Sequence, residues 1–319
     1  MKLRLFGILG AIGCVAFGQT GTVAGPSAGY VFDPAVKAVR QIRGIPGAAT
    51  LGDAIDLGIA ASAAAVSPRG DLAAVTADDG TLHLFRLNNG TAVERPVNNL
   101  MTGAFSVRFS PSGTAAALYQ PGSVQVLRGL PDAPVVAATF PAPQAADAVM
   151  VSGIHSYRVT GAAIAVSDDG AYVLFGRAGA IDLLSATGGR KLADAHAGFA
   201  VAFAPGSHDA AVVTGGTLSV FQDVAGASTR RDFPGATATS GLAFSADGGK
   251  VLLAGPEAVT VLDRATGDRK LAGCDCRIVS VAPMGTVFRL NELGSGPLWL
   301  LDPTATEPKV LFVPARSGL

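Results

Sequence analysis

Apolar residues in this chain come in short runs broken by Gly, Pro, Asp and Asn, and no segment sustains a 3.6-residue period. That punctuation predicts many short strands and little helix. The stretch from Ala65 to Leu87, AVSPRGDLAAVTADDGTLHLFRL, shows the unit. An apolar strand closes at Ser67-Pro68-Arg69-Gly70. A second runs over Leu72–Thr76 and turns at Asp78-Asp79-Gly80. A third covers Thr81–Leu87.

The unit recurs. A small residue closes the first strand at Ser67, Ser110, Ser167, Ala204, Ser245 and Ala282, with a Gly just beyond it. Ser and Asp side chains cap such a turn, and Gly takes the left-handed backbone that other residues avoid. Second strands rich in small apolar residues follow: Leu72–Val75, Ala115–Leu118, Tyr172–Phe175, Ala210–Val213, Val251–Ala254 and Val287–Leu290. Third strands are predicted over Leu82–Leu87, Val124–Leu127, Ile181–Leu184, Leu218–Phe221, Val259–Leu262 and Leu298–Leu301. Fourth strands are weaker, as outer edges are: Val93–Val97, Val135–Phe140, Lys191–Leu192, Thr229–Phe233, Lys270–Leu271 and Val310–Val313.

A period of about 40–45 residues with four short strands predicts the blade of a β-propeller. The longest interval, between Ser110 and Ser167, holds an insertion over 142–159. It carries His155, Tyr157 and Arg158, read here as a candidate interaction loop. Tyr30-Val31-Phe32-Asp33-Pro34 parallels Trp299-Leu300-Leu301-Asp302-Pro303. Residues 30–59 are therefore expected to supply an atypical blade that closes the ring. The expectation is an all-β chain with one propeller domain over 30–319 and seven four-stranded blades; six blades with a terminal strap is the alternative.

The Ser-Pro-x-Gly step and its hairpin resemble the repeats of the WD40-like group. Val259-Thr260-Val261-Leu262-Asp263-Arg264-Ala265-Thr266-Gly267 is similar to the YVTN-type repeat of exported prokaryotic propellers. The resemblance implies the fold. The Trp-Asp positions of true WD40 repeats read Phe85-Arg86, Leu127-Arg128, Leu184-Ser185, Phe221-Gln222, Leu262-Asp263 and Leu301-Asp302.

The N-terminus breaks the pattern. Lys2 and Arg4 precede an apolar run from Leu5 to Phe17, the order of a secretory signal. The run is shorter than the roughly 20 residues of a membrane span. Residues 1–18 are expected to be a signal peptide, with Gln19 the new N-terminus and 19–29 a flexible leader; Val23-Ala24 is a second candidate cleavage site. Ala11-Ile12-Gly13-Cys14 is similar to a lipobox, so lipidation at Cys14 is the minor alternative. The expected location is periplasmic or extracellular. In such an oxidising compartment Cys274 and Cys276 are a candidate disulfide, strained across one intervening residue.

Formal charges balance at 24 basic and 24 acidic residues, which gives no global field for nucleic acid. Candidate chemistry is sparse. His83, His155, His196 and His208 stand far apart and form no metal-ligand pattern. Gly25-Pro26-Ser27-Ala28-Gly29 matches a nucleophile elbow in letters but lacks the strand before it and the helix after it. Asp78-Asp79 and Asp168-Asp169 read as turn caps, as do Asp33, Asp263 and Asp302. Arg40, Arg43, Arg230, Arg231, Arg264, Arg269 and Lys270 read as a solvated, weakly basic flank. No catalytic, cofactor or metal residues are assigned. The reading is a monomeric, non-enzymatic binding or scaffold module for a protein or other cell-envelope ligand. A propeller enzyme, lactonase-like or redox, with its site at the channel mouth is the alternative.

Overall fold

The computed structural model describes residues 25–103, 106–142, 163–196, 198–236, 241–255, 258–274 and 281–315, with the backbone of 148–149 and 158–159. These residues form antiparallel sheets in chain order, arranged as the seven blades of a propeller. Blade 1 has three strands, β1 (Ser27–Asp33), β2 (Ala38–Ile45) and β3 (Ala48–Ile55). Blade 2 has β4 (Ala61–Val66), β5 (Leu72–Ala77), β6 (Leu82–Asn88) and β7 (Thr91–Glu94). Blade 3 has β8 (Ser106–Phe109), β9 (Ala115–Gln120), β10 (Ser123–Arg128) and β11 (Val135–Pro141). The insertion contributes a short pair, β12 (Ala148–Val149) with β13 (Arg158–Val159).

Blade 4 has β14 (Ala163–Val166), β15 (Tyr172–Arg177), β16 (Ala180–Ser185) and β17 (Gly188–Ala193). Blade 5 has β18 (Ala200–Phe203), β19 (Ala210–Thr214), β20 (Thr217–Gln222) and β21 (Thr229–Pro234). Blade 6 has β22 (Gly241–Phe244), β23 (Lys250–Ala254), β24 (Ala258–Asp263) and β25 (Arg269–Gly273). Blade 7 has β26 (Ala282–Met284), β27 (Val287–Arg289), β28 (Leu298–Asp302) and β29 (Lys309–Val313). No helix among the described residues is long and apolar enough to cross a membrane.

The core is distributed between blades rather than within one. Each neighbouring pair shares its own apolar cluster. Tyr119, Val126 and Phe140 of blade 3 meet Val166 and Phe175 of blade 4. The seventh cluster joins the chain's two ends: Val31 and Ile42 of blade 1 pack with Leu298, Leu300 and Val313 of blade 7. Alternation explains this arrangement, because period-2 side chains point to opposite faces and each face meets a neighbouring sheet. The second strands are mostly apolar, since both of their faces are covered.

Three details depart from the sequence reading. β1 begins at Ser27, inside the stretch expected to be a leader, and Gly44 N–H donates to Pro26 O at 2.7 Å. The fourth strand of blade 2 lies at Thr91–Glu94, not Val93–Val97, because the Asn89-Gly90 turn, with both residues at positive φ, returns the chain at once. In blade 7 the expected turn at Ala282-Pro283-Met284-Gly285 is mostly strand. The tight hairpin instead turns at Gly285, which adopts φ 62° and donates its N–H to Pro68 O at 2.7 Å.

Candidate functional site

Strand order places the turns after the first and third strands of blades 2 to 7 on one rim; blade 1 runs in the opposite sense, with Gly29 at the start of β1 beside Gly70 on that rim and Lys37 of the β1–β2 turn on Asp78 at the other. The other rim carries the remaining hairpins and the connections between blades. On the first rim the serine anchors are buried: Ser67, Ser110, Ser167 and Ser245. Each hydroxyl accepts the N–H five residues on, from Leu72 at 3.2 Å, Ala115 at 3.1 Å, Tyr172 at 3.0 Å and Lys250 at 2.9 Å. Three of them also donate to an aspartate of the same turn, Asp71 at 2.8 Å, Asp169 at 2.6 Å and Asp247 at 2.5 Å. The Ser245 hydroxyl and the Gly249 N–H hold the Asp247 carboxyl below the ordinary carboxylate range.

The paired acids work between blades as well as within turns. Asp168 Oδ1 accepts Ser112 N–H of blade 3 at 2.7 Å, and Oδ2 accepts Gly206 N–H of blade 5 at 2.7 Å. Asp169 meets His208 Nε2 at 2.9 Å, and the His208 ring stands edge-on to Tyr172. Asp78 pairs with Lys37 at 3.1 Å. Asp33, Asp263 and Asp302 each cap the N–H two residues on, at 3.0, 2.8 and 2.9 Å.

Of the basic residues, Arg43, Arg230, Arg231, Arg269 and Lys270 are exposed, Arg264 is half-buried and Arg40 is buried, and most of them are also bonded to the scaffold. Arg231 donates to the Arg264 carbonyl at 2.7 Å and covers Phe233. Arg264 bonds Asp209 at 2.6 Å and Gly248 O at 2.8 Å. Arg269 reaches the Pro234 carbonyl, and Lys270 reaches Thr306 O and Glu307. Arg230 pairs with Asp232 at 2.7 Å, and Arg40 with Asp33 at 2.6 Å. Arg190, Arg231 and Lys270 share one register, opposite Leu183, Val220 and Val261. Each extends from an outer strand to a turn carbonyl of the next blade. The signal was a cation repeating at one blade position, which is legible only once the register is known.

The histidines stay apart. His83 lies between Glu94 at 2.7 Å and the Thr81 hydroxyl at 2.9 Å. A hydrolytic reading would use that order, but Thr81 Oγ1 also bonds Asp79 Oδ1 at 2.6 Å, which lowers the Asp79 pKa. His196 meets Thr214 through its backbone N–H. Among the described residues no three His, Cys, Asp or Glu side chains gather as a metal site requires. The Gly25–Gly29 motif contributes Ser27–Gly29 to a strand, with no helix after it. Cys274 is disulfide-bonded and packs beside the cluster between blades 6 and 7. Cys276, His155, Tyr157 and the Arg158 side chain lie outside the described residues.

One charge on the inner wall has no counterpart in the repeat. The inner strands of blades 2 to 7 read ASAAAV, SVRF, AIAV, AVAF, GLAF and APM, and Arg108 is their single charged residue. Two positions ahead of the anchor the other blades carry Ala65, Ala165, Ala202, Ala243 and Ser280. The Arg108 side chain is exposed. Its pKa is lowered, chiefly by the protein mass around it; Glu292 acts to raise it and Arg289 to lower it. Both belong to blade 7, which does not adjoin blade 3. Arg289 bonds Glu292 at 2.9 Å. Among the described residues the Arg108 guanidinium has one hydrogen bond, to Val107 O at 3.2 Å.

Two solved structures are similar to the chain. A functionally unknown protein from Desulfotomaculum acetoxidans DSM 771 matches with a TM-score of 0.59 and 16% identity, over 89% of this chain and 95% of that one. A chain of a mitotic checkpoint complex matches with a TM-score of 0.51 and 12% identity, over 99% and 100%. At these identities the likeness shows the propeller fold alone. No family model matches, and no curated protein matches in sequence.

Proposed function

We propose that the chain is an exported, monomeric propeller that binds a protein or another ligand of the cell envelope and performs no catalysis itself. One observation carries this reading. The recurring polar residues of the first rim are bonded to the scaffold, so variation between blades is left to the opposite rim. The longest connection, between β11 and β14, opens there, as does the segment after Cys274. A rigid ring with variable loops on one face is a binding architecture. Lys2, Arg4 and the apolar run to Phe17 support export. On this reading His155, Tyr157 and Arg158 contact the partner, and Cys274 pairs with Cys276.

The test combines location with capture. Envelope and cytosolic fractions of the source cell are probed for a mature form beginning at Gln19. Cross-linked partners are then compared between the parent and a chain with His155, Tyr157 and Arg158 all changed to Ala. A mature envelope form whose partner is lost in the triple variant is expected. A cytosolic full-length chain, or a partner retained undiminished, overturns the reading.

A further inference from the structure

Asn89-Gly90 is the one Asn-Gly step in the chain; Asn88, Asn98, Asn99 and Asn291 are followed by Asn, Asn, Leu and Glu. It forms the two-residue loop of the β6–β7 hairpin, between the paired residues Asn88 and Thr91. Both loop residues hold positive φ, 44° at Asn89 and 81° at Gly90, as such a tight turn demands. The Asn89 side chain is exposed, and its amide bonds nothing among the described residues. Asn89 also lines a cleft of about 260 Å³ at the ring-closing seam, together with Tyr30 of blade 1, Arg69 of blade 2 and Met284 of blade 7. The Gly90 N–H donates to the Tyr30 hydroxyl at 3.3 Å, longer than an ordinary N–H···O bond.

We propose that Asn89 is a self-modifying site, converting to aspartate and isoaspartate, and that blade 1 guards it through the Tyr30 hydroxyl. The reaction needs only water and hydroxide. The Gly90 nitrogen gives its proton to hydroxide and attacks Asn89 Cγ. The Cγ–Nδ2 bond breaks, and ammonia leaves with a proton taken from water, which restores the hydroxide. The succinimide ring so formed is opened by water at one carbonyl or the other, leaving aspartate or isoaspartate at position 89. Glycine permits the attack because no Cβ crowds its nitrogen, and the other four asparagines lack that neighbour. The Tyr30 hydroxyl holds the proton that must leave, so this long bond slows the reaction without preventing it. Aspartate would add a negative charge to the cleft that Arg69 lines. Isoaspartate would lengthen the main chain of a two-residue loop by one carbon, which its turn geometry does not accommodate. Gly90 N–H would then be displaced from Tyr30, and a tie between blades 1 and 2 would be lost. The inference concerns the seam and stands whether or not the chain binds an envelope partner.

Ageing of the folded full chain at mildly alkaline pH tests it, with the urea-unfolded chain as the reference. Peptide mapping by mass spectrometry locates amide-to-acid conversion, and an isoaspartyl methyltransferase labels the isoaspartate. Conversion at Asn89 is expected to outpace that at Asn98 and Asn99 at least tenfold in the folded chain. Tyr30→Phe, which keeps the ring and removes the hydroxyl, should raise the Asn89 rate severalfold. The isoaspartate fraction should exchange the Gly90 and β7 amides faster than Asn89→Asp, which carries the charge on an unaltered main chain. An Asn89 that stays intact in the folded chain while the unfolded chain converts overturns the proposal. So does a rate unchanged in folded Tyr30→Phe, or equal exchange in the isoaspartate fraction and Asn89→Asp.

Discussion

The Asp168 carboxylate of blade 4 accepts the Ser112 N–H of blade 3 at 2.7 Å, and its second oxygen accepts Gly206 N–H of blade 5 at 2.7 Å. One side chain thus spans three consecutive blades. The Thr114 hydroxyl adds a bond to the Asp168 carbonyl at 2.6 Å. Asp168→Ala should destabilise the fold by about 1.5–3 kcal/mol, the range for hydrogen bonds to a charged group. Urea unfolding measures the change as a lower midpoint at unchanged slope.

Gly29 sits at the closing seam with φ 133°, and a Cβ there would lie 2.8 Å from Met284 Cγ. Gly29→Ala meets both backbone strain and the wall of blade 7. A loss of about 1–3 kcal/mol is expected from the strained backbone. Hydrogen exchange should rise first at β1 and β26. Met284→Ala in the same chain should recover only part of the loss, because the backbone conformation stays unfavourable.

Asp247 titrates below the ordinary carboxylate range because the Ser245 hydroxyl and the Gly249 N–H favour its charged form. A carboxyl whose folded pKa is depressed contributes stability that is fully present above its unfolded value, about 3.9. That stability is lost as pH falls through the lower folded value. Ser245→Ala should raise the Asp247 midpoint in a 13C titration and shrink the acid-dependent part of the stability curve. An unmoved midpoint would refute the assignment.

Arg190, Arg231 and Lys270 each link an outer strand to the next blade's turn. Each single change to Ala should cost about 0.5–1.5 kcal/mol, as a lost hydrogen bond does. The three belong to separate blades, so their effects should add. Thermal unfolding of the triple variant against the singles checks this. A change at Arg230, whose partner Asp232 lies on its own strand, should have the smaller effect of an exposed ion pair.

Much of the scaffold was legible in the residues. The Ser67, Ser110, Ser167 and Ser245 anchors set the repeat, and Gly70, Gly113, Gly170 and Gly248 mark turns that require positive φ. These signals are local, so a linear reading finds them. Partners far apart in sequence were not legible. Asp168 reads as a turn residue until Ser112 and Gly206 are placed beside it. Arg231 reads as a surface cation until the Arg264 carbonyl is seen beneath it. The blade 7 hairpin shifted because Gly285 answers Pro68 of blade 2, a contact that no local pattern encodes.

Arg108 shows the same division. Its neighbours Val107 and Phe109 establish the strand, through period-2 alternation and the turn that follows. The ring alone lets Glu292 and Arg289, some 180 residues along the chain, influence its charge. The sequence by itself determined the blade: strand lengths, turn chemistry and the period, all governed by interactions over a few residues. Only the tertiary structure decided which polar groups tie blades together and which face the channel, because those pairings depend on ring closure and on a desolvation that exists only once the blades have packed.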